Sequence, residues 1–156
     1  MRDAITVRGR YTVYTYNPKI GETVQIYTGH NLLVDTGKDI LARRLAGVDS
    51  SNYPPCTFIA IGSGTTPPTE ADTTLESEIS RKGMDSGYPS TIVSGAIILQ
   101  STWGLDEPAS QPCTIREIGV FDSSSGGHML NRIVLSGDLY KDSNLELSVK
   151  LEISFE

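Results

Sequence analysis

Hydrophobic and polar residues alternate most cleanly at the two ends of this chain. Over residues 145–156, Leu145, Leu147, Val149, Leu151, Ile153 and Phe155 alternate with Glu146, Ser148, Lys150, Glu152, Ser154 and Glu156. A period of two puts the first set on one face of a strand and the second on the other. A pattern sustained to the final residue needs a sheet to hold it, so this terminus reads as structural. At the other end, Ile5, Val7, Tyr11 and Val13 oppose Thr6, Arg8, Arg10 and Thr12. Turn chemistry at Asn17-Pro18 and Gly21 then leads into a return strand from Val24 to Thr28, which predicts a hairpin over residues 1–30.

Between these ends the pattern changes. Thr36 with Asp39 three residues on resembles a capping box, Ile40, Leu41, Leu45 and Val48 form an apolar stripe, and Gly47 reads as the C′ stop of the helix. This predicts a helix over about 36–46. Leu75 and Ile79, four apart, predict a second, short helix over about 72–80. A short buried strand is expected at 56–61, and one buried on both faces around 96–99. A further hairpin is expected from 114–122 and 128–137, around the flexible Ser-Ser-Ser-Gly-Gly tip. The expected fold is mainly β (α+β), an antiparallel two-sheet β-sandwich-like arrangement with one helix and a short second one. The whole chain, 1–156, reads as a single domain, with the hairpin at 1–30 and a β core with its helix at 31–156.

Composition narrows the function. A chain of 156 residues is long enough to bury a core, and 38% hydrophobic residues with 15 glycines and 8 prolines suit a β-rich, turn-rich protein. No apolar run reaches the roughly 18 residues of a membrane span. The N-terminus lacks a signal-peptide core, so synthesis and folding in a cytoplasm are expected. A net charge of −6 without a run of Lys and Arg argues against a nucleic-acid partner. The doublets Arg43-Arg44 and Arg81-Lys82, both beside predicted helices, read as solvated faces. Cys56 and Cys113 are too few and too distant for a metal knuckle. Buried free thiols are the simpler reading, and a disulfide stays open if their strands are neighbours.

The candidate chemistry centres on Gly62-Ser63-Gly64, which follows a β-branched strand as a phosphate loop would. Against that use, Pro67 and Pro68 remove amide donors, no lysine follows until Lys82, and Glu70 and Asp72 would repel phosphate. Gly62, Gly64, Pro67 and Pro68 therefore read as a stiff structural connection. His30 and His128 lack metal spacing, and no nucleophile elbow is present. The acidic group Glu70, Asp72, Glu76 and Glu78 reads as a solvated helix face, with an oxygen-ligand calcium site as the alternative. Arg8, Arg10, Tyr11, Tyr14, Tyr16 and Tyr27 crowd the first hairpin and are the candidate interface residues, on an edge strand whose arginines act as guards. Trp103 with Asp106 and Glu107 is the one cluster that hints at a saccharide site, and a tryptophan that packs a loop is the favoured reading of it. No catalytic, cofactor-binding or metal residue is expected.

The order of motifs resembles a family of tailed-bacteriophage virion proteins associated with tail fibres, collars and baseplates. The resemblance lies in Asn31 to Gly37, Ile59 to Thr65, Thr73 to Arg81 and Glu117 to Phe121, and spans about residues 31–156. It implies a non-enzymatic structural component of the virion, synthesised in the host bacterial cytoplasm, that docks to other virion proteins and to copies of itself. In this family the motifs carry turns and packing. The alternatives are a capsid decoration protein and a carbohydrate-binding β domain at the host surface.

Overall fold

In the computed structural model, residues 4–91 and 94–156 are described. Met1 to Asp3, the start of the expected hairpin over 1–30, and Ile92 and Val93 lie outside the described residues. Two antiparallel five-stranded sheets face each other, so the protein is mainly β with one helix. The first sheet has the order β2 (Glu22–His30), β1 (Val7–Asn17), β10 (Glu146–Phe155), β7 (Ala96–Trp103), β6 (Ser90–Thr91). The second runs β3 (Leu32–Leu33), β9 (Met129–Lys141), β8 (Cys113–Phe121), β4 (Phe58–Gly62), β5 (Glu78–Gly83).

The alternation at both termini explains the first sheet. β10 pairs with β1 on one side and β7 on the other, so its inward set is covered on every side. Leu147, Val149 and Leu151 have no exposure, and each such side chain contributes about 1.5–3 kcal/mol on burial. They meet Ile59, Ile61, Ile118, Ile133 and Leu139 of the opposite sheet in one core. A smaller core lies on the other side of the second sheet, where Leu75 packs with Ala60, Phe121 and Met129.

Several expectations are corrected. β1 is not an edge strand: β10 inserts beside it, and the edge falls to β2. The 72–80 helix is absent. Residues 78–83 form β5, and the amides of Glu76 and Ser77 donate to a buried carboxylate where a helix would have used carbonyls. The first helix, α1 (Asp35–Ala46), does form and ends at Gly47 in a left-handed turn (φ 65°). Its N-cap is Val34 with no side-chain cap, so the Thr36–Asp39 box does not exist, and Asp39 pairs with Arg43 instead. Its apolar stripe is narrower than expected. Gly37 and Ile40 are buried, whereas Leu45 is 91% exposed and Val48 lies beyond the helix at 52%. Gly37 lies so close to β9 that a Cβ there would sit 1.9 Å from the Leu130 carbonyl oxygen.

Cys56 and Cys113 are free. β4 and β8 are indeed neighbours, but they run antiparallel, with Phe58 opposite Phe121 and Gly62 opposite Glu117. That register sends the two cysteines to opposite ends of the pair, on the order of 30 Å apart at about 3.3 Å per residue. No disulfide can span that distance.

Candidate functional site

The glycine loop does receive an anion, and the anion belongs to the chain. Leaving β4, residues 63–77 cross the outer face of the second sheet and return as β5. Under this crossover lies Glu117 of β8, with no solvent exposure. Its Oε1 accepts the amides of Gly64 at 3.0 Å and Ser77 at 2.7 Å, and its Oε2 accepts the amide of Glu76 at 3.0 Å. Arg132 of β9, itself buried, donates Nε to Glu117 Oε2 at 3.0 Å and Nη1 to Asp72 Oδ2 at 2.8 Å. The loop amides that would cradle a phosphate are thus committed to a carboxylate.

The glycines follow from this geometry. A Cβ at Gly62 or Gly64 would lie 2.6 Å from Glu117 Oε1, inside the contact distance of the two atoms. At Gly119 a Cβ would meet Leu75 Cδ2 at 2.9 Å, so this glycine is what lets the crossover seat its leucine on the sheet. Pro67 is exposed and Pro68 half-buried, in the span between Gly64 and the Asp72 clamp. There Asp72 accepts the Thr69 amide at 3.0 Å, and Glu76 accepts the Thr66 amide at 3.0 Å.

Charge holds the crossover down. Partial burial raises the Asp72 pKa, but hydrogen bonds from Thr69 and Arg132 outweigh it and keep the carboxyl below its ordinary value. Glu76 is lowered by hydrogen bonds from Thr66 and then by the Arg132 charge. The calcium alternative fails on this pairing. Asp72 and Glu76 serve Arg132, Glu70 pairs with Lys38, and Glu78 pairs with Arg81. Among the described residues no group of His, Cys, Asp and Glu is arranged to hold a metal.

The remaining sequence candidates separate. Tyr11 is in the core, and Tyr27 turns inward to donate its hydroxyl to the Asp138 carbonyl at 3.0 Å, so neither presents an outward ring. Tyr14 and Tyr16 line a groove of about 450 Å³ on the outer face of the first sheet, with Thr23, Gln100, Thr102 and Glu146. Arg8 pairs with Glu156 at 2.9 Å rather than guarding an edge, and Arg10 stands opposite His30 in the β1–β2 ladder. The doublet Arg81-Lys82 is on β5, not beside a helix. Arg81 lies over the Phe121 ring at 3.6 Å, and Lys82 pairs with Glu107 at 2.7 Å. Trp103 is buried at the end of β7, its indole donating to Ser80 Oγ at 3.0 Å, so it presents no ring to a saccharide. His128 stacks on Tyr53 at 4.1 Å, and its Nδ1 lies 2.8 Å from Asp122 Oδ2. Cys56 lines an apolar crevice of about 280 Å³ with Ile40, Leu41, Leu99 and Ile153, and burial pushes its thiol up to about 12.

Sequence reading missed Glu117 and Arg132 as partners. Two charged residues at positions that the strand pattern otherwise fills with apolar side chains were the available signal. Searches against protein-family models, curated proteins and solved structures return no match to this chain.

Proposed function

We propose that this chain is a non-enzymatic structural protein of a tailed-phage virion, docking as an oligomeric tail-fibre, collar or baseplate-type component. The observation that carries the reading is the convergence of three of the resembling motifs on one buried knot. Gly62 and Gly64, Leu75 to Ser77, and Glu117 to Gly119 contact one another directly. Their polar atoms hold a crossover to a sheet, which supports a scaffold role for residues that would otherwise suggest phosphate chemistry. The partners in this reading are other virion proteins and further copies of the chain, within the particle.

The test is fractionation of phage particles from the host that expresses the gene. Mass spectrometry should find the chain in density-purified particles, and antibody–gold labelling should mark the tail. Recovery only in the soluble, particle-free fraction overturns the reading.

The groove beside Tyr14 and Tyr16 favours a second reading, a saccharide-binding β domain, because half-buried tyrosine rings beside amide, hydroxyl and carboxylate groups suit sugar rings. Glycan-array binding that Tyr16→Ala abolishes would support it, and an array with no binding would remove it.

A further inference from the structure

We infer that the edge of β2 is a self-pairing surface, through which two copies of the chain join their first sheets antiparallel about a twofold axis. The inference deepens the assembly reading above and rests on it, by naming the surface and the partner.

Two sheet edges lie side by side in this part of the molecule, and the chain treats them differently. Among the described residues, β9 has no strand neighbour on its β3 side beyond Arg132. Gln25 covers that edge as a strand would: its Nε2 donates to the Asp138 carbonyl at 3.2 Å and its Oε1 accepts the Tyr140 amide at 3.0 Å. Tyr27 adds its hydroxyl to the same carbonyl and packs over Gly137, where a Cβ would lie 2.6 Å from the hydroxyl oxygen. The outer edge of β2 itself has no such cover among the described residues. It is nine residues long, Glu-Thr-Val-Gln-Ile-Tyr-Thr-Gly-His, with a single bulge at Val24 and without the Lys, Arg or Pro that ordinarily blunt an edge. It leaves Val24 51% and Ile26 58% exposed, with Ile20 at 60% in the adjoining turn.

The strand is also complementary to itself. Antiparallel pairing centred on Ile26 sets Ile26 against its own copy and Thr28 against Val24, the residue at which β2 bulges against β1, so Glu22 lies beyond the regular ladder. The Glu22 end of one β2 then lies beside the end of the other that carries His30, with Arg10 directly across from His30 on β1. Such an interface is isologous and closes on itself, so it yields a dimer and not a fibre. Main-chain hydrogen bonds supply affinity, and the Ile26 pair fixes register.

The experiment uses the full chain, measured by light scattering after size exclusion across a concentration series, together with Ile26→Lys and Ile26→Cys. Because Ile26 is exposed, both variants should retain the native circular dichroism and melting temperature. The inference expects a wild-type dimer, a monomeric Ile26→Lys variant with two lysines forced together, and a reducible covalent dimer of Ile26→Cys under mild oxidation. A wild-type monomer at every concentration, or an oligomer that Ile26→Lys leaves intact, overturns the β2 interface. Either result leaves the virion reading to its own particle fractionation, so the two can fail separately.

Discussion

Glu117 Oε1 accepts the amide of Gly64 at 3.0 Å, across 53 residues of chain. The amides of Glu76 and Ser77 and the guanidinium of Arg132 complete the set of donors around this carboxylate. A fully buried charge is stable only where such donors replace water. Glu117→Gln keeps the shape but turns an amide N–H₂ toward groups that are themselves donors, and leaves Arg132 without its inner counter-charge. Guanidinium denaturation should show a loss of about 3–5 kcal/mol, the cost of breaking a buried pair. A loss under about 1 kcal/mol would mean that the carboxylate is no more than an ordinary hydrogen-bond acceptor.

Gly64→Ala tests the same contact from the other side. Its Cβ would come within 2.6 Å of Glu117 Oε1 and 2.5 Å of Glu76 Cβ, so the crossover must lift. The expected cost is about 1–3 kcal/mol, as for other overpacked sites. Because lifting the crossover breaks the bonds that Glu117→Gln also breaks, the double variant should lose less than the sum of the two. Additive losses would show that Gly64 and Glu117 act separately.

What could be read in advance divides along local and non-local lines. The alternation in β1 and β10, the helix ending at Gly47 and the two-sheet class were legible, because each rests on periodicity or a backbone conformation carried by neighbouring residues. The false helix at 72–80 has the opposite origin. Leu75 and Ile79 have helical spacing, but Leu75 faces Gly119 and the Ser77 amide faces Glu117, both distant in sequence. Edge assignment failed in the same way, since only the pairing of β10 with β1 puts β1 inside its sheet. At the glycine loop, the excess of carboxylates and the missing lysine weighed against phosphate. Which carboxylate fills the cradle depends on strand register, and the local pattern does not encode register between β4 and β8.

Acid should loosen the crossover. The folded pKa values of Asp72 and Glu76 lie below their ordinary values, so the unfolded chain takes up protons first. Their contribution is therefore present above the ordinary carboxylate range, near pH 4, and is lost as pH falls through the depressed folded values. Urea midpoints should decline from about pH 5 downward, and Asp72→Asn should decline less, from a lower starting point. An unchanged slope in Asp72→Asn would remove Asp72 from the acid response.

The thiol of Cys56 should be inert in the folded protein. Burial in the apolar crevice pushes it up to about 12, so at pH 8 only roughly one molecule in ten thousand carries the thiolate. Iodoacetamide should leave Cys56 unmodified over hours in native buffer and label it readily once the chain is unfolded, as mass spectrometry of the peptide would read. Rapid native labelling would mean that the crevice between α1 and the sandwich opens on that timescale.

Trp103 offers a test that separates packing from ligand binding. It is 1% exposed, donates to Ser80 Oγ, and belongs to the core shared by the two sheets. Trp103→Ala should cost about 3–5 kcal/mol, the range for deleting a buried aromatic side chain. Any loss of glycan binding in that variant should track the fraction unfolded, because the ring does not reach the Tyr14–Tyr16 groove. A Trp103→Ala protein with native stability and a selective binding defect would instead return the tryptophan to a site, and would require β7 to open in solution.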